Sequence, residues 1–144
     1  MQIKIHRLND AVHLKAVNEH GHEVHLDGAE QIGGQNLGFR PMQMLLVALG
    51  SCASMDVLSI LQKQKQQIDD YKVFVDGERD QDQVPSLFAD IHVRFEFKGD
   101  LDPQKIERAI KLSMEKYCSV TKTLEETAYI TSSFILNDHE EQRI

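Results

Sequence analysis

One long apolar segment constrains most strongly how this chain can fold. Pro41 occupies the favoured first position of a helix, and the residues after it predict a helix to about Gln66. From Met42 to Leu49 this helix is apolar on nearly every side, so it must be buried on nearly every side. A chain of 144 residues has too small a core to enclose such a helix alone. We therefore expect a second chain to cover it.

Strands are predicted on both sides of this helix. Apolar and polar residues alternate in them with the period of two that is typical of a half-buried strand. The predicted order is three strands over residues 1–27, the long helix, strands over Tyr71–Glu78 and Phe88–Lys98, a helix from Asp102 to about Cys118, and a strand over Ala128–Leu136. This order predicts the α+β class, with antiparallel sheets packed on a long buried central helix.

The length and composition predict one soluble domain. We place it at residues 1–137, followed by a polar, frayed C-terminal tail at residues 138–144. The net charge is −7 and no segment concentrates lysine or arginine, which argues against a nucleic-acid partner. The N-terminus does not resemble a signal peptide, and no apolar run reaches the length of a membrane span. We therefore expect a cytoplasmic protein with no membrane partner.

The chain has two cysteines, Cys52 and Cys118. A reducing cytosol disfavours a structural disulfide, and either residue could be an ordinary buried apolar side chain. Small neighbours, Gly50 and Ala53 among them, leave room for another group to approach the Cys52 sulfur. Cys118 lies at the end of the second helix and just ahead of a helical turn that begins near Ser119, where backbone N–H groups acidify a thiol. Both cysteines are therefore candidates for chemistry.

The two cysteine segments resemble those of one known family. The run Pro41–Cys52, followed by Asp56–Leu61, is similar to the central cysteine helix of the OsmC/Ohr family, and Leu112–Val120 is similar to its second cysteine motif. The resemblance implies an intertwined homodimer with two sites at the subunit interface. It also implies that Cys52 reduces organic hydroperoxides, that Cys118 then joins it in a disulfide, and that a small dithiol, a lipoylated protein in some members, regenerates the enzyme. No metal or organic cofactor is implied.

The chain departs from the family pattern at Met42. Peroxidase members place a glutamate there, which helps to hold the arginine that stabilises the thiolate. We take Arg40 as the candidate for that arginine, with Arg7 as the alternative. Asp56 follows Cys52 by one helical turn and could replace the missing acid, or could equally cap or pair at the helix surface. A thiolate requires a nearby cation or helix N-terminus at neutral pH, so this departure bears directly on activity.

Two hypotheses follow from these residues. The first is a two-cysteine thiol peroxidase that protects against oxidative stress. The second is a non-catalytic dimer of the same fold that binds a small apolar ligand or senses oxidants. A metal site is not favoured, because His22 and His25 point to opposite faces of their strand and no cysteine or carboxylate pair completes a set of four ligands.

Overall fold

A computed structural model describes the whole chain, Met1–Ile144. It contains two compact units, residues 1–45 and residues 46–144, and the long helix begins in the first unit and continues through the second. The prediction of a single domain over residues 1–137 stays a prediction.

The first unit is built on a three-stranded antiparallel meander with the order β1-β2-β3. Asn18 makes the turn between the last two strands, because its side-chain oxygen accepts hydrogen bonds from the backbone N–H groups of His20 and His22. Gly21 completes the turn with a φ of 83°, a conformation that favours glycine. The strands span Ile3–Arg7 (β1), Leu14–Asn18 (β2) and Glu23–Leu26 (β3).

The glycine-rich segment that follows β3 is organised by one buried carboxylate. Asp27 accepts backbone hydrogen bonds from Gly28 (2.7 Å), Gln35 (2.9 Å) and Leu37 (3.0 Å). The bonds from Leu37 and Gln35 hold the pKa of the Asp27 carboxyl below its ordinary value, although burial opposes them. A side chain at Gly34 would collide with the backbone carbonyl of Gly28, so the loop closes only with glycine there.

The second unit contains a four-stranded sheet with the order β4-β5-β6-β7. The β4–β5 and β6–β7 pairs are antiparallel, whereas β5 and β6 are parallel, so the sheet is mixed rather than wholly antiparallel as expected. The parallel pair arises because a helical crossover connects β5 to β6 and returns the chain to the same end of the sheet. The strands span Gln67–Arg79 (β4), Phe88–Asp100 (β5), Tyr129–Leu136 (β6) and Gln142–Arg143 (β7).

The helices of the chain are α1 (Pro41–Lys63), α2 (Pro103–Leu112) and α3 (Ser119–Leu124). Asp102 caps α2 by accepting the backbone N–H of Gln104, and Pro103 occupies the first helical position. Between α2 and α3 the residues Ser113–Tyr117 form a π-helical turn, here called the π-turn.

The fully buried core of the second unit includes Leu61, Ile91, Val93, Phe95, Phe97, Ile106, Ile110 and Phe134.

α1 is buried on one face only within a single chain. The buried positions recur at the helical spacing and comprise Leu49, Gly50, Ala53, Ser54, Val57 and Leu61. Between Met42 and Leu49, which were expected to be buried all round, only Leu49 is buried, and Met55 further along is 72% exposed. By length and composition α1 also passes the test for a membrane span, as core helices of soluble proteins do.

The C-terminal residues are paired with the sheet and are not frayed. Gln142 and Arg143 form β7 against β6, and the backbone N–H of Ile144 donates to the carbonyl of Ser132 (2.9 Å). The hydroxyl of Ser133, which is fully buried, donates to Glu141 Oε1 (2.5 Å) and helps to hold the segment that precedes β7. The polar composition of the tail therefore reflects an exposed edge strand.

Candidate redox site

Cys52 lies near the middle of α1, where the helix packs closely on β4. A side-chain carbon at Gly50 would lie 2.8 Å from Cγ2 of Val75, so only glycine allows this approach. A glycine inside a helix lowers helix stability by roughly 1 kcal/mol relative to alanine, and here the close packing of α1 on β4 requires it. Cys52 itself is partly exposed, and its thiol is free.

Cys118 is fully buried and lies at the junction of the π-turn and α3. Its backbone N–H donates to the carbonyl of Ser113 (2.9 Å), which closes the π-turn. Its Sγ accepts the backbone N–H of Thr121 (3.4 Å), so the sulfur caps the short helix α3. The sequence placed Cys118 at the end of the second helix and just ahead of a helical turn near Ser119, and the structure has it there, between the π-turn and α3.

The structure brings the two cysteines together. Cys52 is close enough to the Cys118 thiol to influence its pKa, and both thiols are free. Burial raises the pKa of the Cys118 thiol above its ordinary value, the two hydrogen bonds with Thr121 act in the opposite direction, and the neighbouring Cys52 raises it further. The Cys118 thiol therefore holds its proton more tightly than an ordinary cysteine does.

A buried serine between the two cysteine segments was missed by sequence reasoning. The hydroxyl of Ser113 lies 3.3 Å from the carbonyl oxygen of Ala53 and 3.2 Å from Oδ2 of Asp56. Ser113 is fully buried on the otherwise apolar stripe of α2, and a serine at such a position was the available signal. Asp56 accepts this serine hydroxyl from one helical turn beyond Cys52.

The two candidate arginines lie in the first unit. Arg40 directly precedes α1, its backbone N–H donates to Gln43 Oε1 (2.8 Å), and its Nη1 atom is buried without a hydrogen-bond partner. Arg7 is exposed and pairs with Asp10 across 3.5 Å. A buried guanidinium nitrogen without a partner is costly, so Arg40 has unused capacity to bind an anion.

His13 and His25 contact each other in the first unit. His25 Nδ1 lies 2.9 Å from Nε2 of His13, and the rings of His20 and His22 are 6.5 Å apart. No group of three or more histidine, cysteine, aspartate or glutamate side chains is arranged to hold a metal ion anywhere in the chain.

Two cavities of the second unit open beside α1. The α1–β4 groove has a volume of about 530 Å³ and an apolar lining that includes Val47, Gly50, Met55, Leu58, Val73 and Val75. A second cavity of about 380 Å³ is more polar, with Asp56, Ser59, Ile60, Lys63, Leu112 and Tyr117 in its walls. This second cavity adjoins the residues that flank the cysteine pair, since Asp56 follows Cys52 by one turn and Tyr117 directly precedes Cys118.

The fold and the site define a class of α+β proteins with two neighbouring free thiols, one on a long apolar helix and one at a helix junction. Residues 33–133 match the family model described as OsmC-like protein. Protein YhfA of Escherichia coli K12 is 41% identical over 118 residues, which cover 79% of this chain and 82% of that protein. The chain belongs to the OsmC-like family.

Solved structures share this fold over almost the whole chain. A hypothetical protein from Aquifex aeolicus VF5 superimposes with a TM-score of 0.82 at 29% identity, covering 96% of this chain and 97% of the other. The organic hydroperoxide resistance protein OsmC from Legionella pneumophila gives a TM-score of 0.68 at 13% identity, covering 93% and 96%, a likeness of fold alone. Members of this family are soluble, so α1 is a core helix.

Proposed function

We propose that this protein reduces organic hydroperoxides by a two-cysteine mechanism and so protects against oxidative stress. The Cys52 thiolate attacks the terminal peroxide oxygen and becomes a sulfenic acid. The O–O bond breaks, and the leaving alkoxide takes up a proton from solvent to become the alcohol. The Cys118 thiol then condenses with it, which forms a disulfide and releases water. A dithiol reductant, such as a lipoylated protein, returns both cysteines to thiols and is itself oxidised to a disulfide. We place this cycle in the cytoplasm.

The observation that carries the proposal is the asymmetry of the cysteine pair. Cys52 is partly exposed, so a peroxide can reach it, whereas Cys118 is fully buried beside it. Burial raises the pKa of the Cys118 thiol, which favours its protonated form and makes it the weaker nucleophile of the pair. Cys52 is accordingly the attacking residue and Cys118 the resolving one.

We propose Arg40 as the cation that supports the Cys52 thiolate. The support is its buried Nη1 atom without a partner, together with a guanidinium that stays charged at every physiological pH. The structural neighbour from Legionella pneumophila is named an organic hydroperoxide resistance protein, which agrees with the proposed class of substrate.

The proposal is tested by dithiol-dependent consumption of cumene hydroperoxide. We expect turnover by wild type and none by Cys52→Ser. Arg40→Ala should lower the rate at least tenfold. Arg40→Lys should restore part of the rate, because lysine keeps the positive charge but lacks the planar guanidinium group. Activity in Cys52→Ser equal to that of wild type would contradict the mechanism.

We also propose that the protein is an intertwined homodimer. The α1–β4 groove leaves Val47 and Met55 exposed, and in the first unit the meander leaves Ile3 and Ile5 more than half exposed. Uncovered apolar faces of this kind are typical of interfaces, and a second copy carries matching faces.

Light scattering tests the dimer directly. We expect about twice the chain mass of 16.5 kDa down to low micromolar concentration. Met55→Glu should weaken the dimer, whereas Tyr129→Glu, at a residue of equal exposure on β6, should leave it intact. A stable folded wild-type monomer at these concentrations would refute the proposal.

The second candidate function is a dimer without catalysis that binds a small apolar ligand or senses oxidants. Met42 favours it, because the glutamate that would hold an arginine is missing, and so does the volume of the apolar α1–β4 groove. A protein of this kind would consume no peroxide in the assay above and would instead gain thermal stability with an apolar ligand.

A further inference from the structure

Ser113 contacts the segments of both cysteines. Its hydroxyl lies 3.3 Å from the carbonyl oxygen of Ala53, the residue after Cys52. Its own carbonyl oxygen accepts the backbone N–H of Cys118 at 2.9 Å. One residue therefore connects the helix of the first cysteine to the backbone of the second.

The hydroxyl of Ser113 also lies 3.2 Å from Oδ2 of Asp56. A serine hydroxyl has one proton, so the Ala53 carbonyl and the Asp56 carboxylate share it, and hydrogen bonds to charged acceptors are the stronger ones. A buried hydroxyl is unfavourable unless it is bonded, and an alanine would fit the apolar stripe beside Ile106 and Ile110 without that requirement. The Ala53 carbonyl and the Asp56 carboxylate together satisfy this buried hydroxyl, and the carboxylate is the charged acceptor of the two.

The position of Cys118 depends on the turn that Ser113 begins. The bond from the Cys118 N–H to the Ser113 carbonyl spans five residues, and Cys118 then leaves helical geometry with a φ of −70° and a ψ of 102°. A disulfide forms only when the two Cα atoms come within roughly 4.4–6.8 Å. A shift of the π-turn along α1 by one helical position would move Cys118 by about 1.5 Å, which is more than half the width of this range.

We propose that Ser113 and Asp56 are a positioning pair for disulfide closure. Their hydrogen bond fixes the π-turn on α1, so that the Cys118 sulfur stays in reach of the Cys52 sulfur at the resolving step. This inference rests on the proposed two-cysteine function. The bond lies between α1 and the π-turn, which carry the two cysteines, so we expect the pair to act on the closure step and not on the first oxidation.

The experiment separates the two chemical steps. Peroxide is mixed rapidly with reduced protein, and the Cys52 sulfenic acid and the Cys52–Cys118 disulfide are followed by quenching and mass spectrometry. In Ser113→Ala and in Asp56→Ala we expect the sulfenic acid to form at the wild-type rate and the disulfide to close about tenfold more slowly, the effect of losing one hydrogen bond to a charged group. More Cys52 should then proceed to sulfinic acid.

Three further variants distinguish positioning from general loosening of the fold. The double variant should close no more slowly than either single variant, because both remove one interaction. Asp56→Asn keeps an acceptor oxygen without the charge, so it should restore closure to a rate between those of Asp56→Ala and wild type. Ser133→Ala is the matched control, since Ser133 is also fully buried and also donates to a carboxylate, that of Glu141, and should close at the wild-type rate.

Diamide oxidation separates this inference from the proposed function. Diamide takes two electrons and two protons from a pair of thiols, so it closes the disulfide without peroxide. Slower closure by diamide in Ser113→Ala and Asp56→Ala supports the positioning pair even if wild type proves inert to peroxides. Closure at the wild-type rate in both variants, or an equal slowing in Ser133→Ala, overturns it.

Discussion

The fully buried thiol of Cys118 is a neighbour of the partly exposed Cys52 in the fold, close enough for Cys52 to influence its pKa, although 66 positions separate them in the sequence. Cys52 lies on the part of α1 that belongs to the second unit, and Cys118 lies at the junction between the π-turn and α3 in the same unit. Cys118 is buried more completely than Cys52, and the roles proposed for the two cysteines follow from this difference.

The pH dependence of Cys118 alkylation follows from its raised pKa. In Cys52→Ser, where Cys118 is the remaining thiol, we expect the rate of alkylation to rise with pH through a midpoint above the ordinary cysteine value of about 8.5, since burial is the largest cause of the shift. Because the folded pKa is raised, this group stabilises the fold below the ordinary value and loses that contribution as the pH rises above it. A midpoint no higher than that of the urea-unfolded chain would contradict the burial argument.

Tyr71 makes the fold sensitive to alkaline pH. Burial raises the pKa of its hydroxyl from 10.0 to about 12, against the opposing effect of its hydrogen bond to Ser54 (2.7 Å). The raised value means that stability present below pH 10 is lost as the pH rises towards 12, by up to about 2 kcal/mol. Denaturant unfolding of Tyr71→Phe should lack this part of the loss. Tyr129→Phe, at an exposed tyrosine, should retain it, and identical profiles for wild type and Tyr71→Phe would count against the assignment.

Gly50 should resist substitution because of Val75. Gly50→Ala gains roughly 1 kcal/mol of helix propensity but places a carbon 2.8 Å from Cγ2 of Val75. We expect a net loss of about 1–2 kcal/mol in the free energy of unfolding, as for other overpacked cores. In a Val75→Ala background the same change should be neutral or stabilising. An equal loss in both backgrounds would place the cost elsewhere than in this contact.

Asp27 should control the order of the glycine-rich loop. Asp27→Asn retains one acceptor oxygen, so it cannot satisfy all three backbone N–H groups, and amide hydrogen exchange at Gln35 and Leu37 should become faster. Since the folded pKa of Asp27 is lowered, its contribution is present above the ordinary value of about 3.9 and is lost as the pH falls through the folded value. Asp10→Asn, at an exposed aspartate, should leave exchange at both amides unchanged, and unchanged exchange in Asp27→Asn would refute the role.

Local patterns were sufficient to predict most elements of the fold. The alternation of Ile91, Val93, Phe95 and Phe97 predicted a strand with one buried face, and all four are buried in β5. Asp102 and Pro103 predicted the start of α2. Such signals lie within a few residues of the element that they define, which is why a single sequence reveals them.

Features that depend on distant segments were not predicted. The parallel pairing of β6 with β5 follows from the path of the crossover, which no local period encodes. Ser113 and Asp56 are 57 positions apart, so neither signals its partner, and the π-turn between α2 and α3 has no propensity signature. For the same reason the sequence could name Arg40 and Arg7 as candidates without ranking them by contact.

The central claim is tested most directly by non-reducing mass spectrometry after one equivalent of organic hydroperoxide. We predict a peptide pair linked through Cys52 and Cys118 with the loss of two hydrogen atoms, and in Cys118→Ser we predict Cys52 trapped as sulfenic or sulfinic acid. If instead both thiols of folded wild type stay free and open to alkylation, the two-cysteine mechanism is contradicted.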